Sequence, residues 1–298
     1  MSRLGATAWK EIAWNGICFK VPENWEVGKI GFRYLMLEVE AQPVLELKWA
    51  PIKGEFSHDR HFRDLAVLHT KDRRLELREG SLSPEWKKAL NGFQVSAFQW
   101  KGKTIGGRGV IVYCPTCLTA TLIQFYQREV TSAHPVSQKI LTSFQDHRSD
   151  DRTVWSVYDI RATIPAEFNL SHYRFDAGQF ELDFVARNQT VALKRWGPAS
   201  VLLADRNLLQ FVEVQNQIPK TKANLQLTAE DKTVEGNHSP AASAWSYLLS
   251  RLVSKTPFQI FRFWHLEEKN RILGVRLEGK RPVNPQLFYE LCAGYESL

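Results

Sequence analysis

Residues 14–25 run WNGICFKVPENW, and residues 155–168 run WSVYDIRATIPAEF. Each begins on Trp, alternates apolar with other residues, reaches Pro, and sets an aromatic ring three residues later. A strand pair follows in both places, ending Leu45-Glu46-Leu47-Lys48-Trp49 in the first and Val191-Ala192-Leu193-Lys194-Arg195-Trp196 in the second. A repeated pattern of apolar and polar positions marks a repeated folding unit. The reading is therefore of two tandem copies of one domain, residues 1–148 and 149–298.

Working outward, Pro22 matches Pro165 and Lys48 matches Lys194. Asp59-Arg60 matches Asp205-Arg206, Pro135 matches Pro285, and Phe144 matches Tyr295. Within a copy, residues 17–21 alternate and stop at Pro22, which cannot donate to a ladder. A hairpin follows, then apolar residues at helical spacing (Phe62, Leu65, Ala66, His69) behind Asp59, the expected N-cap. Residues 93–100, 109–114 and 118–126 read as further strands. Pro135 opens a closing helix with Val136, Ile140 and Phe144 on its inward face. Trp25 and Phe168, equally spaced after their prolines, are expected in the two cores. The expected fold class is α+β, each copy an antiparallel sheet flanked by helices, with residues 146–152 as the linker.

The order of elements resembles the PsbP-like superfamily, which includes the photosystem subunit PsbP, the lipoprotein DcrB and Ran-binding Mog proteins. The resemblance rests on Val21-Pro22-Glu23-Asn24-Trp25 and Ile140-Leu141-Thr142-Ser143-Phe144. The second copy carries Ile164-Pro165-Ala166-Glu167-Phe168 and Leu291-Cys292-Ala293-Gly294-Tyr295. It implies an α/β/α sandwich and a binding role rather than catalysis, and it carries over no functional residue.

At 298 residues and 44% apolar content, with ten Trp and seventeen Phe, the chain can bury two cores of ordinary domain size. Residues 1–16 hold no apolar segment of secretory type. The uncharged run 109–127 is broken by Pro115 and rich in β-branched residues, so a β-hairpin explains it better than a membrane span. A soluble, cytoplasmic protein without a spanning segment is expected. Four cysteines are too few for a disulfide framework. The glycines of Gly106-Gly107-Arg108-Gly109 are read as a bulge or turn.

Function is not legible in any catalytic motif. The first expectation is a non-enzymatic binding or scaffold protein with a protein partner and no cofactor, offering a surface between like domains. A second reading centres on Tyr113-Cys114-Pro115-Thr116-Cys117. Two thiolates across a tight turn can hold half of a zinc site, and His58 and His61 are the other closely spaced donors. The second copy has His265 and Glu268 in place of the cysteines, and Ala204 and Asn207 in place of the histidines. Against zinc stand the missing second Cys-x-x-C and Leu118, where a knuckle favours Gly. A redox role is weaker, because the pair sits between strands and lacks the helix N-terminus that activates a thiol. Without metal, the two cysteines simply flank a hairpin turn. A third reading uses the net charge of +7, whose excess lies between Arg60 and Arg108. Arg73, Arg74, Lys87, Lys88, Lys101 and Lys103 near Trp86, Phe93 and Trp100 form a basic and aromatic mixture of the kind that binds anions or single strands.

Overall fold

The computed structural model describes residues 8–63, 76–103, 105–127, 135–147, 151–215, 217–218, 225–239 and 258–298. The chain forms two compact units. One comprises Met1–Ser149 with Ser156–Tyr158, the other Asp150–Trp155 with Asp159–Leu298.

The first unit opens with the hairpin β1 (Trp9–Trp14) and β2 (Ile17–Pro22), paired from Trp9↔Pro22 to Trp14↔Ile17. Its turn is Asn15-Gly16, both at positive φ (44° and 96°), the backbone that a two-residue hairpin favours. The Trp14 ring is fully buried, and its indole N–H donates to the Gly31 carbonyl at 2.7 Å. Seven strands follow: β3 (Glu26–Gly31), β4 (Tyr34–Val39), β5 (Gln42–Pro51), β6 (Glu76–Gly80), β7 (Gln94–Lys101), β8 (Gly106–Cys114) and β9 (Thr119–Gln127). They form one antiparallel sheet in the order β3-β4-β5-β9-β8-β7-β6. Helices α1 (Pro84–Ala89) and α2 (Pro135–Ser143) pack on each other, and α2 packs on β2.

After β10 (Arg152–Val157), the second unit contains β11 (Ile160–Pro165), β12 (Asn169–Asp176), β13 (Gln179–Ala186), β14 (Gln189–Trp196), β15 (Leu225–Ala229), β16 (Thr233–His238), β17 (Phe258–Leu266), β18 (Arg271–Gly279) and β19 (Tyr295–Ser297). Its seven-stranded sheet runs β12-β13-β14-β18-β17-β16-β15, the same order of first, second, third, seventh, sixth, fifth and fourth strand as in the first unit. The described helices are α3 (Ala199–Leu202), α4 (Leu208–Val214) and α5 (Pro285–Ala293). Leu208, Phe211 and Val212 of α4 pack with Trp196, Phe261, Phe263 and Ile272 of the sheet.

The expected α+β sandwich is not what forms. The described residues are mainly antiparallel β, in three sheets. A nine-residue helix such as α2 or α5 is about 14 Å long. Seven strands about 4.8 Å apart span roughly 29 Å, so such a helix covers a patch of the sheet and not a layer. The strands missed in the sequence explain the excess of β structure. β3 and β12 bury little, and each carries a bulge (between Val27 and Lys29, and between Leu170 and His172) that breaks its apolar alternation. They lie at sheet edges, where backbone pairing holds a strand whose side chains face water.

Several local expectations also change. Ser57, not Asp59, accepts from the Arg60 N–H where residues 58–63 begin their helix. In the second unit Asn207, not Asp205, caps α4, in a reciprocal box with Gln210. Asp205 instead faces solvent beside Arg206. Phe168 is buried, whereas Trp25 is only partly covered. Residues 106–109 lie inside β8 and form no turn. The run 109–127 is the β8–β9 hairpin, and no helix among the described residues is long and apolar enough to cross a membrane.

Candidate functional site

Among the described residues, each unit offers one candidate grouping of chemistry-bearing side chains. In the first, β8 ends on Cys114 and β9 begins at Thr119, so the Pro115-Thr116 turn places Cys114 and Cys117 side by side. Leu118 closes the turn at φ 55°, a left-handed backbone uncommon outside Gly and Asn. It is held there because the Ile52 N–H donates to its carbonyl at 2.7 Å.

The partners of the cysteines come from the segment after α2, which had read as linker. Cys18 and Gln145 exchange both backbone hydrogen bonds at 2.8 Å. That pins the chain one residue before Asp146 and turns Asp146 and His147 toward the cysteines. The Cys117 thiol donates to Asp146 Oδ2 at 3.1 Å, and Cys114 Sγ lies 3.6 Å from His147 Nδ1. His147 Nδ1 is 2.7 Å from Asp146 Oδ1. One donor atom from each of the four residues falls within 4.8 Å of every other. Asp146 is buried, its side chain 3% exposed, while His147 remains 42% exposed. Burial first, with the adjacent Asp146 carboxylate adding to it, pushes the Cys117 thiol up to about 12. A thiolate nucleophile or an activated redox pair does not fit that setting.

His58 and His61 do not join this group. His58 Nδ1 lies 2.9 Å from Ser96 Oγ, and His61 Nδ1 lies 2.9 Å from the Ser57 carbonyl. Both rings contact Phe56, which stacks on Tyr113 at 4.2 Å. Tyr113 and Cys114 are neighbours on a strand, and successive side chains point to opposite faces. The histidines therefore lie on the Tyr113 side. Burial, then the neighbouring His61, hold His58 below the usual imidazole range.

Of the basic candidates, Arg73 and Arg74 lie outside the described residues. Lys87 and Lys88 are exposed on α1, Lys101 ends β7, and Lys103 follows it. Trp86 and Trp100 are buried, and Phe93 turns toward Phe144 at 5.9 Å between ring centres. The two buried indoles offer no free face for a base, and Phe93 is half-buried.

The second place was not marked by any sequence motif. In the second unit Arg262 and Trp264 of β17 face Tyr289, Cys292 and Ala293 of α5 and Tyr295 of β19 across a cleft of about 320 Å³. Arg262 and Trp264 are two residues apart on a strand and so share a face. The Arg262 guanidinium lies 5.8 Å from the Trp264 ring centre. The Tyr289 hydroxyl donates to Glu235 at 2.7 Å, which pushes the phenol above its ordinary range. Burial pushes the Cys292 thiol up to about 12. The signal available in sequence was the spacing Arg-x-Trp opposite Tyr-x-x-Cys-Ala, but only the fold brings β17 and α5 together.

No family model and no curated protein matches the chain. Among solved structures it is similar to the immunity protein TplEi of T6SS from Pseudomonas aeruginosa. Identity is 10%, the TM-score is 0.37, and the match covers 99% of each chain. The same protein complexed with "L" peptide matches at 10% identity and a TM-score of 0.33, over 97% of this chain and 98% of that one. The Ran-binding protein Mog1p of Saccharomyces cerevisiae matches at 10% identity and a TM-score of 0.33, over 47% of this chain and 96% of that one. At TM-scores below 0.5, none of these likenesses says what this chain binds.

Proposed function

We propose that the chain is a non-enzymatic binding protein for a protein partner, and that the cleft of the second unit is the surface it offers. The composition of that cleft carries the reading. Arg262, Trp264 and Tyr289 meet in one concavity, and Trp, Tyr and Arg are enriched among the few residues that carry most of the binding energy at protein interfaces. Their rings present large area with few rotatable bonds, and their polar tips select a partner's hydrogen-bonding groups. Arg262 stands 3.9 Å from Glu235 and near the Trp264 ring, so an entering acidic or aromatic side chain meets a cation beside an indole. A thiol held near 12 makes Cys292 a wall of the cleft and not a nucleophile. The reading of residues 1–148 and 149–298 as two copies of one domain is supported by the identical strand order of the two sheets.

The test is to pan a displayed peptide library against the full chain and measure the selected peptides on variants. Arg262→Ala and Tyr289→Ala should each weaken binding by about 10-fold or more, as loss of a central interface anchor does. Peptides that bind both variants like the parent protein would overturn the assignment of the cleft.

A further inference from the structure

We propose that Cys114, Cys117, Asp146 and His147 form a mononuclear zinc site that ties the β8–β9 turn to the segment following α2. This reverses the expectation from sequence that the cysteines bind no metal, and it replaces His58 and His61 as their partners.

The argument is geometric. Tetrahedral zinc takes thiolate sulfur at about 2.3 Å, and imidazole nitrogen or carboxylate oxygen at about 2.0–2.2 Å. The edges of such a tetrahedron, between one ligand atom and the next, are then about 3.3–3.8 Å. Here Cys114 Sγ and His147 Nδ1 are 3.6 Å apart, already such an edge. Cys117 Sγ to Asp146 Oδ2 is 3.1 Å, and His147 Nδ1 to Asp146 Oδ1 is 2.7 Å. No pair in the quartet exceeds 4.8 Å. Shifts of about 1 Å or less bring these three contacts to the separation that zinc requires. Four protein donors of this kind close the shell, which marks a structural rather than a catalytic ion.

The donor set also selects the metal. Two thiolates and an imidazole favour zinc over magnesium or calcium, which take oxygen shells. Binding releases two thiol protons to solvent. Two thiolates and one carboxylate around a divalent ion leave one net negative charge, on a site whose His147 side is open to water.

The backbone is arranged for the same outcome. Leu118 holds the left-handed conformation that a zinc knuckle needs after its second cysteine, without the glycine that usually supplies it. The paired hydrogen bonds of Cys18 and Gln145 hold the other two donors in place from outside the ligand set.

The experiment is metal analysis of the full chain, purified under reducing conditions and dialysed in zinc-buffered solution. About one zinc per chain is expected, and Co²⁺ in its place should give the strong visible bands and thiolate-to-metal absorption of a tetrahedral site. His147→Ala, an exposed position, should weaken binding by at least the roughly 10–100-fold that loss of even an outer-shell partner costs. Cys114→Ser with Cys117→Ser should abolish it, while His58→Ala with His61→Ala should leave it unchanged. A chelator should lower the melting temperature of the parent chain by several degrees, because metal-binding energy here is folding energy. No zinc uptake by the reduced parent protein would overturn the proposal, as would an octahedral Co²⁺ spectrum. So would stoichiometric zinc persisting at parental affinity in His147→Ala, which keeps the test decisive if the double cysteine variant does not fold.

Discussion

Trp100 stands directly across the ladder from Gly107, and its ring fills the space that a side chain on residue 107 would need. A Cβ there would lie 2.7 Å from the indole and 2.2 Å from the Phe125 carbonyl oxygen. Phe98 and Gly109 repeat the arrangement two residues on, as Phe263 and Gly274 do in the second unit. The glycines of β8 admit large rings, and the rings cover the backbone that glycine leaves bare. Gly107→Ala should therefore destabilise the chain by about 1–3 kcal/mol, the usual cost of overpacking. Chemical denaturation would show it as a lower midpoint at unchanged slope.

Glu46 is 1% exposed, yet it meets Gln124 and Tyr126 of the neighbouring strand β9 and Lys48 of its own strand β5. Burial pushes its carboxyl up, but the Tyr126 hydroxyl, the Lys48 ammonium and the Gln124 amide outweigh that and hold it below the ordinary value of 4.5. A depressed folded-state pKa adds stability above the unfolded value and loses it as pH falls through the folded one. Glu46→Gln should cost about 1–3 kcal/mol at pH 7. The gap between parent and variant should narrow steadily as pH drops below 4.5. A gap that stays constant down to pH 2.5, in urea melts at each pH, would contradict this.

Leu118 and Asn270 occupy the last turn position before β9 and β18, at φ 55° and 54°. Asn tolerates this conformation, whereas Leu pays roughly 1–2 kcal/mol for it. Leu118 is 51% exposed and loses little packing on truncation. Leu118→Gly should raise stability by up to about 1 kcal/mol after the entropy of glycine is subtracted. Asn270→Leu should do the reverse by about 1–2 kcal/mol, with loss of its hydrogen bonds to the Ser200 N–H and hydroxyl added. Thermal melts of the two variants should move in opposite directions.

Phe168 is buried at 3% exposure and Trp25 is not, although each follows its proline at the same spacing. Phe168→Ala should cost about 3–5 kcal/mol, the range for large aromatic truncations in a core. Trp25→Ala should cost clearly less. Equal losses in denaturant melts would mean that Trp25 is as well packed as Phe168.

Patterns confined to neighbouring residues were legible in the sequence. The alternation around Leu45 and Leu47, and around Val191 and Leu193, marks strands because side chains on a strand alternate between faces. The β-branched run broken by Pro115 marks a hairpin for a similar reason. Asn15-Gly16 carries an equally local hairpin signal, with both residues at positive φ. The caps lay two residues from where the acidic residues drew them, because Ser57 and Asn207 compete with Asp59 and Asp205 for the same role and only backbone geometry decides.

The tertiary structure alone decided the rest. The apolar periods of β3 and β12 are short and broken by bulges, and both strands are held by backbone pairing at an edge, so the balance of sheet to helix could not be taken from side chains. Half of the zinc quartet, the Cys-x-x-C turn, stands out in the sequence. The other half, Asp146-His147, looks like solvated linker until the Cys18–Gln145 bridge folds it against β8. Arg262 and Tyr289 lie 27 residues apart with no shared motif, and meet only because α5 packs against β17. Local periodicity is written in successive residues. A site is a coincidence in space of residues distant in sequence, and only the packed chain brings them within reach.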